Sequence, residues 1–273
     1  MGRILEQINR NKVSLSGEKS RKNRINLEYW NKRVNIGDSI APVIYDWMLQ
    51  QYNLNSDKEM KKTVHLLTVG SLIGMGNFDA VVWGSGFHTI GSIRSVVNKR
   101  YYRKYDIRAV RGPISAEILK VSDYDCPAVY GDPAILMPKI YQPESLVKKY
   151  KYSAVLHIDH RDLAIPDGVN YIDVETDDYK SVINRMLESE VVISSSLHGI
   201  ILAESYGIPA VFLGQNMEYE TIKFYDWYYS TGRKNVLIAN SLEEALQMQP
   251  MAVPQLEEMQ NNLIAAFPKD LWN

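Results

Sequence analysis

Short runs of apolar residues alternate along this chain with longer segments in which apolar residues recur every three to four positions. The short runs end in glycine or polar residues and are typical of buried strands, whereas the longer spacing is typical of helices. In the first half of the chain this pattern predicts helices at 36–49 and from Pro113 onward. It predicts strands at 25–30, 64–69, 80–83 and 107–110. Strands that alternate with helices imply a parallel sheet.

The same alternation resumes after a polar stretch at 140–152, which is rich in lysine and tyrosine. The tail at 242–267 has a helical pattern that two prolines interrupt. In between, the pattern predicts strands at 153–157, 169–174, 191–194 and 210–213, and helices at 179–189 and 197–206. The chain is therefore predicted to be an α/β protein of two halves, each with a parallel sheet.

At 273 residues, the chain exceeds the usual size of one small core, which favours two domains. The predicted segments are a polar basic arm at 1–24, an N-terminal Rossmann-like domain at 25–140, a C-terminal Rossmann-like domain at 150–240 and closing helices at 241–273. The arm contains no apolar run of the kind that a signal peptide or a membrane span requires. We interpret its basic cluster as solvated.

Composition narrows the function classes. The net charge is −1 and the basic residues are scattered apart from the arm, so the sequence predicts no nucleic-acid partner. The single cysteine, Cys126, excludes an intramolecular disulfide framework and is typical of a reducing compartment, so we expect a cytoplasmic protein.

The richest candidate site follows the predicted strand at 191–194. Three consecutive serines, Ser194, Ser195 and Ser196, lead into His198 and Gly199 at the start of a helix. A helix start offers free N–H groups and a positive dipole end, which suit a phosphate or a carboxylate. His198 is a candidate anion ligand or general acid. The alternative is that the serines cap the helix and His198 packs in the core.

Two loops of the first half carry further candidates. Asn35, Gly37 and Asp38 follow the first predicted strand, where the carboxylate is a candidate base for a sugar hydroxyl or, alternatively, a helix cap. Arg111 stands at a strand-to-helix turn. Its guanidinium suits bidentate binding of phosphate or carboxylate, and a solvated surface arginine is the alternative.

Glycine-rich loops do not complete a nucleotide motif. Gly84, Ser85 and Gly86 resemble the start of a dinucleotide loop, but the third glycine is replaced by Thr89. These three residues remain candidates for contact with a substrate. The stretch at 70–76 lacks the lysine of a P-loop, so its glycines are interpreted as turn residues or points of close approach to a ligand.

Two remaining segments carry polar candidates. His157 ends a predicted strand and is expected to face the cleft, whereas the period-two spacing of its neighbours puts them on opposite faces, so no metal site is predicted. Lys223 begins an aromatic patch at 223–229 that suits stacking on a sugar, but the patch is interpreted first as core or interface. Lys223 itself is a candidate substrate ligand.

Taken together, these segments resemble the polysaccharide pyruvyl transferase family. The resemblance spans roughly 25–235, and the matching segments occur in the order of the family. They are 35–38, 70–71, 82–87, 108–113, 130–134, 194–199 and 203–209. Each segment is short and weakly specific alone, but the ordered series is specific.

The resemblance implies a fold like that of two-domain GT-B glycosyltransferases, with sheets that face a cleft. It implies phosphoenolpyruvate as donor, a hexose hydroxyl pair as acceptor, a pyruvate ketal as product, and no cofactor or metal. His198 and its serines would face the donor, Arg111 would be a second anion ligand, and His157 would be an alternate acid or base. Ser196 stands where some members have arginine, so another anion contact is expected.

The implied partners are phosphoenolpyruvate and a sugar or lipid-linked oligosaccharide, with peripheral contact to membrane-bound glycan assembly enzymes at the inner membrane face. Two other functions fit the same fold. One is a nucleotide-sugar-dependent GT-B glycosyltransferase, which also holds phosphates at a helix start. The other is a non-catalytic glycan-binding or assembly protein, for which Ser196 is the motivating residue.

Overall fold

Two parallel sheets, one from each half of the chain, form the frame of the protein. The structure, a computed structural model, describes residues 12–99, 103–144, 147–214 and 221–273. The first sheet has the order β1-β2-β3-β4 and every pairing in it is parallel. Its strands are β1 Ile25–Glu28, β2 Val64–Leu67, β3 Ala80–Trp83 and β4 Tyr105–Ala109. Its helices are α1 Ile36–Gln51, α2 Ile90–Val97 and α3 Pro113–Lys120.

The second sheet is also parallel and has the order β6-β5-β7-β8-β9. Its strands are β5 Tyr150–Val155, β6 Asn170–Tyr171, β7 Ser189–Ser194, β8 Ala210–Leu213 and β9 Ile238–Ala239. The remaining α-helices of the described chain are α4 Met137–Ile140, α5 Tyr179–Leu187, α6 Leu197–Ser205, α7 Thr221–Ser230, α8 Leu242–Gln247 and α9 Glu257–Ala265. Short 3₁₀ helices lie at Pro133–Leu136, Ile158–His160 and Lys269–Trp272.

Helix α1 joins the two halves. Its N-cap, Asn35, accepts a hydrogen bond from the backbone N–H of Gly37, and isoleucines and a methionine spaced four residues apart are fully buried. The helix packs on the Pro133–Leu136 turn and on α5 and α6 of the second half. At its start, the backbone N–H of Ile36 donates to the carbonyl of Val174. One continuous apolar core therefore serves both sheets.

The C-terminal segment returns across both halves of the chain. Helix α8 packs on the second sheet, while α9 packs on the first half of the chain. There the indole N–H of Trp83 donates to the carbonyl of Leu263 at 2.8 Å, and Phe267 makes an edge contact with the same indole. None of the helices in the described ranges has the length and apolarity needed to cross a bilayer.

The predicted arm at 1–24 lies partly outside the described residues, which begin at 12. Its described part is attached to the first sheet. The backbone N–H of Leu15 donates to the carboxylate of Glu28, and the guanidinium of Arg21 donates to the carbonyl of Ile25. The basic side chains of Lys19, Arg21 and Lys22 are exposed, in agreement with the solvated cluster, while hydrogen bonds attach this segment to β1.

Candidate functional site

A cavity of about 390 Å³ lies where strands from both sheets end. Its wall consists mostly of the loops that follow β1, β2, β3, β5 and β7, so the carboxyl ends of the parallel strands converge on it, as in other open α/β sheets. The polar residues of the wall are Lys32, Arg33, Asn35, Asp38, Ser71, His88, His157, Asp159, Ser196, His198 and Lys223.

The charges of this wall favour an anionic ligand. Three of the described lining residues are lysine or arginine, three are histidine and two are carboxylates. Lys223 is buried on α7, where a charge is costly unless a counter-charge or a polar group offsets the lost water. The carboxylate of Asp38 is near enough to interact with this charge.

His198 is the second residue of α6, and its imidazole lies between the two halves of the protein. The ring contacts Gly37 of α1 so closely that a Cβ atom at position 37 would lie 2.0 Å from Nδ1. Its side chain is 12% exposed. Gly37 and His198, which were predicted separately as site residues, are therefore brought together. Gly37 does not line the cavity, and its lack of a side chain provides the space for the ring.

Asp132 lies behind the imidazole and is fully buried. Its Oδ2 atom is 3.7 Å from His198 Nε2 and accepts a hydrogen bond from the backbone N–H of Gly70 at 3.1 Å. Its Oδ1 atom accepts from the backbone N–H of Ala134 at 3.0 Å, which caps the Pro133–Leu136 turn. Asp132 therefore fixes this turn. Nε2 of His198 is buried and has no hydrogen-bond partner among the described residues.

Asp38 lines the cavity beside the same ring. Gly70 faces both groups, because a Cβ atom there would lie 3.7 Å from His198 Cε1 and 3.8 Å from Asp38 Oδ1. Burial raises the pKa of Asp38 to about 6, and the nearby Asp132 carboxylate adds to the rise, while His198, His88 and Lys223 oppose it. A carboxylate with this pKa can accept a proton at neutral pH.

The three serines before α6 have different roles. Ser194 and Ser195 are fully buried and do not line the cavity. The Ser194 hydroxyl donates to the carbonyl of Val155, and Ser195 accepts from the backbone N–H of His157. Gly199 is needed for packing, since a Cβ atom there would lie 2.3 Å from Ser194 Oγ. The structure thus corrects the predicted substrate contacts of Ser194, Ser195 and Gly199: these residues support the wall.

Ser196 is the serine that lines the cavity. It is the N-cap residue of α6, and its hydroxyl makes no capping hydrogen bond in the described chain. The backbone N–H groups of the first turn of α6 therefore lie beside a hydroxyl that is not used for capping. This arrangement can receive an anionic oxygen.

Arg111 does not line the cavity, and its guanidinium is fully buried. Its Nε donates to Asp226 at 3.2 Å, Nη2 to the carbonyl of Phe87 at 2.8 Å and Nη1 to the hydroxyl of Ser71 at 2.5 Å. Arg111, which was predicted as an open anion ligand, is therefore part of a buried ion pair with Asp226 in this structure. Arg111 reaches the cavity only through Ser71, which does line it.

The loop after β3 also supports the wall from behind. The hydroxyl of Ser85 donates to the carbonyl of Gly70 and accepts from the backbone N–H of Leu72, which holds the loop after β2 in place. Gly84 has a φ of +87° and abuts Pro133, while Gly86 lies against the guanidinium of Arg111. The predicted substrate contacts of Gly84, Ser85 and Gly86 are corrected accordingly, because none of them lines the cavity.

Comparison with known proteins identifies the family of this chain. A family model described as polysaccharide pyruvyl transferase matches residues 22–216, which is more than half of the chain. The chain belongs to the polysaccharide pyruvyl transferase family. The resemblance found in the sequence is thereby confirmed, and the family supports a transferase that acts in pyruvyl transfer on a polysaccharide.

Two relatives in sequence cover about three quarters of this pyruvyl transferase family member. The uncharacterized protein L143 of Acanthamoeba polyphaga mimivirus is 30% identical over 74% of this chain and 73% of its own length. The succinoglycan biosynthesis protein ExoV of Rhizobium meliloti (strain 1021) is 28% identical over 75% of this chain and 64% of its own length. The chain therefore spans less than two thirds of ExoV.

A solved structure shares the fold. The uncharacterized protein KP1_0663 of Klebsiella pneumoniae superposes with a TM-score of 0.50 over 87% of this chain and 96% of its own chain. The two sequences are 15% identical, so this similarity concerns the fold. Within the family match, the segments at 35–38, 70–71 and 194–199 all reach the cavity.

The remaining predicted site residues all line the cavity. Asn35, His157 and Lys223 line the cavity, as does Asp38. Nδ1 of His157 accepts a hydrogen bond from the backbone N–H of Asp159 at 3.3 Å. Among the described residues, no group of three or more histidine, cysteine, aspartate or glutamate side chains is arranged to hold a metal ion.

Sequence reasoning missed several lining residues. They are Trp30, Lys32, Arg33, Ser71, Met75 and His88. All of them follow a strand of the first sheet within eight residues of its end. Position after a strand end is therefore the sequence signal that indicates them.

Proposed function

We propose that this protein transfers the enolpyruvyl group of phosphoenolpyruvate onto two hydroxyls of a hexose in an exopolysaccharide or cell-surface glycan precursor. The product is a pyruvate ketal, and phosphate is released. The carrying observation is the pairing of Asp38 and His198 at one end of a cavity whose wall carries an excess of basic groups. These are the acid, the base and the anion ligands that the reaction requires.

The proposal includes a GT-B-like arrangement of two Rossmann-like domains. The segment at 25–140 is the acceptor side and the segment at 150–240 is the donor side. The parallel sheets and the cavity at their strand ends support this assignment. The single cysteine supports a cytoplasmic site of action, where a lipid-linked acceptor would bring the protein into peripheral contact with glycan assembly enzymes at the inner membrane face.

Donor binding is assigned to the second half of the wall. Phosphoenolpyruvate carries a phosphate and a carboxylate, and the first turn of α6 with the hydroxyl of Ser196 can accept one of them. Lys223 on α7 lies near enough to Asp38 to affect its pKa, so it supplies positive charge at the same end of the cavity. In this scheme Lys223 provides the positive charge that an arginine at position 196 would otherwise supply, and His88 lies opposite on the first half of the wall.

The chemistry begins with proton transfer to the methylene carbon of the donor. His198 donates this proton, which leaves positive charge on the neighbouring carbon C2 and its oxygen. A sugar hydroxyl attacks C2 while Asp38 accepts the hydroxyl proton. The bond from C2 to the phosphate oxygen then breaks, and the second hydroxyl attacks C2 to close the ketal. One of the two hydroxyl protons replaces the proton given to the methyl group, and the other leaves with phosphate.

A thermal shift series tests donor binding. Phosphoenolpyruvate, UDP, CMP and inorganic phosphate are compared at equal ionic strength, because a ligand that binds the native state raises its apparent stability. Selective stabilisation by phosphoenolpyruvate that is weakened in Lys223→Met and kept in the exposed-site control Lys234→Met supports the proposal. Stabilisation by nucleotides alone would instead assign a nucleotide-sugar glycosyltransferase.

A turnover assay tests the chemistry. Phosphate release from phosphoenolpyruvate is measured with candidate glycan acceptors, and the ketal methyl group is detected by NMR. His198→Ala is expected to lower the rate by about 10² to 10⁴-fold while the fold is retained. Near-normal turnover in this variant would remove the role assigned to His198. Acceptor binding without phosphate release in the native protein would indicate a glycan-binding protein.

A further inference from the structure

The mechanism above does not use the buried carboxylate of Asp132, which lies beside His198. Asp132 is fully buried, comes from the loop before the Pro133–Leu136 turn and faces Nε2 of His198 at 3.7 Å. The same nitrogen is buried and makes no hydrogen bond within the described ranges. Two polar groups that are removed from water and face each other are expected to interact, because either one alone would be costly to bury.

The two carboxylate oxygens of Asp132 have different partners. Oδ1 is used by the backbone N–H of Ala134, which leaves Oδ2 to face both the backbone N–H of Gly70 and the imidazole. An oxygen that already accepts from an N–H group is a poor partner for a nitrogen lone pair. The favourable arrangement therefore has a proton on Nε2, directed towards Oδ2, which leaves the exchangeable position of the ring at Nδ1.

The opposite side of the ring lies against the first turn of α1. Nδ1 is next to Gly37, and both the N-cap residue Asn35 and the following residue Asp38 line the cavity, as does His198 itself. Beside the ring, the charge of Asp38 on α1 interacts with His198 itself, with Asp132, with His88 from the loop after β3 and with Lys223 from α7. Asp132 is the one of these that faces the buried nitrogen.

We propose that Asp132 is a positioning residue for His198: it fixes the ring proton on Nε2, sets the ring against Gly37 and Gly70, and stabilises the imidazolium, so that Nδ1 exchanges protons with the substrate. This inference rests on the proposed function for its catalytic consequence. The tautomer and the orientation of the ring are properties of the free protein, so they can be measured without turnover.

The first experiment is NMR of the protein labelled with ¹⁵N in its histidine rings. His198→Gln identifies the His198 signals among the five histidines. We expect the neutral ring of the native protein to carry its proton on Nε2, and Asp132→Asn to shift the population towards Nδ1–H. A native ring with its proton on Nδ1, or a tautomer that is the same in both proteins, overturns the inference. The native measurement decides this even if Asp132→Asn does not fold.

The second experiment separates positioning from the turn that Asp132 also caps. Asp132→Asn is expected to lower kcat by about 10² to 10⁴-fold, as when the carboxylate behind a catalytic histidine is removed, with the KM for phosphoenolpyruvate changed by less than about 3-fold. The matched control is Asp178→Asn, which removes the capping carboxylate of α5, and it should leave both constants unchanged.

The outcomes distinguish the inference from the function on which it rests. A native-like kcat in Asp132→Asn overturns the positioning role, whereas a tautomer shift without any pyruvyl transfer in the native protein overturns the proposed function alone. A loss of stability in Asp132→Asn with an unchanged tautomer would leave Asp132 as a turn residue and overturn the inference.

Discussion

The imidazole of His198 lies directly over the α-carbon of Gly37, although the two residues come from different halves of the chain. A Cβ atom at position 37 would be 2.0 Å from Nδ1 and 2.4 Å from Cγ of the ring, closer than atoms can approach without displacement. Gly37 is the second residue of α1, and its backbone angles are open to other residues. The absence of a side chain at position 37 is therefore required by the imidazole of His198 and not by the backbone conformation of Gly37.

Gly37→Ala should consequently disable the site while the fold is kept. Alanine is the better helix former, by about 1 kcal/mol, so α1 itself gains from the change. The ring of His198 must move, and a displacement of about 1 Å in a catalytic group can lower turnover by about 10²-fold. We expect a loss of that order in kcat, measured by phosphate release, with native-like circular dichroism.

Gly91→Ala is the matched control for this change. Gly91 is also the second residue of a helix, and a Cβ atom there would come no closer than 3.4 Å to Thr89. It should retain native turnover. If Gly37→Ala also retained native turnover, the position of the His198 ring would not matter for the reaction.

The buried pair of Arg111 and Asp226 gives a prediction about stability. Asp226 receives hydrogen bonds from Arg111, from the hydroxyl of Ser115 at 2.6 Å and from its backbone N–H at 3.0 Å, and so ties α7 to α3. Asp226→Asn leaves the guanidinium charge buried without compensation. Removal of one partner of a buried pair costs about 3–5 kcal/mol, so urea unfolding should show a loss of this size.

An exposed ion pair serves as the control for that measurement. Lys99 and Asp123 are 2.6 Å apart, but both side chains are mostly exposed to solvent. Water and salt weaken such a pair, so Asp123→Asn should change the urea midpoint little. Equal effects of the two substitutions would contradict the assignment of Arg111 as a buried structural group.

The strands and most helices could be predicted from the sequence because their apolar runs are short, strong and bounded by glycine or polar residues. Helix α2 was missed although Ile90, Ile93 and Val97 recur at helical spacing, because it has only eight residues and contains a glycine and two serines. Strand β9 has two residues and is too short to form a pattern. The aromatic patch at 223–229 was correctly interpreted as core, since Phe224, Trp227 and Tyr228 are buried on α7.

The site was predicted less completely because its decisive contacts join distant parts of the chain. The sequence shows that Arg111 stands at a strand-to-helix turn. It does not show that the guanidinium forms an ion pair with Asp226, 115 residues later. It shows that Asp132 caps a turn, but not that the carboxylate also faces His198. Local patterns indicate which residue types are present, whereas tertiary packing decides which of them reach the cavity.

Asp38 gives a prediction that depends on pH. Burial raises the pKa of Asp38 from its ordinary value of 3.8 to about 6. Below pH 3.8 the carboxyl is neutral in the folded and the unfolded chain. Between pH 3.8 and about 6 the unfolded chain ionises first, so the folded state loses stability as the pH rises through this range. Above that range the full cost, about 3 kcal/mol, is present.

Asp38→Asn removes the charge at every pH and should therefore raise stability at pH 7.5 by up to about 3 kcal/mol, with a smaller gain at pH 4.5. Urea unfolding at both pH values measures this gain, and Asp46→Asn, which changes an exposed aspartate of the same helix, should show no such pH-dependent gain.

The Asp38→Asn variant should also lose pyruvyl transfer, because its amide cannot accept the hydroxyl proton. In the native protein, kcat/KM for the acceptor should fall about tenfold per pH unit below about 6. A stable Asp38→Asn variant with retained turnover would move the base to His157, and a stability gain that is the same at both pH values would show that burial of the charge is not its cause.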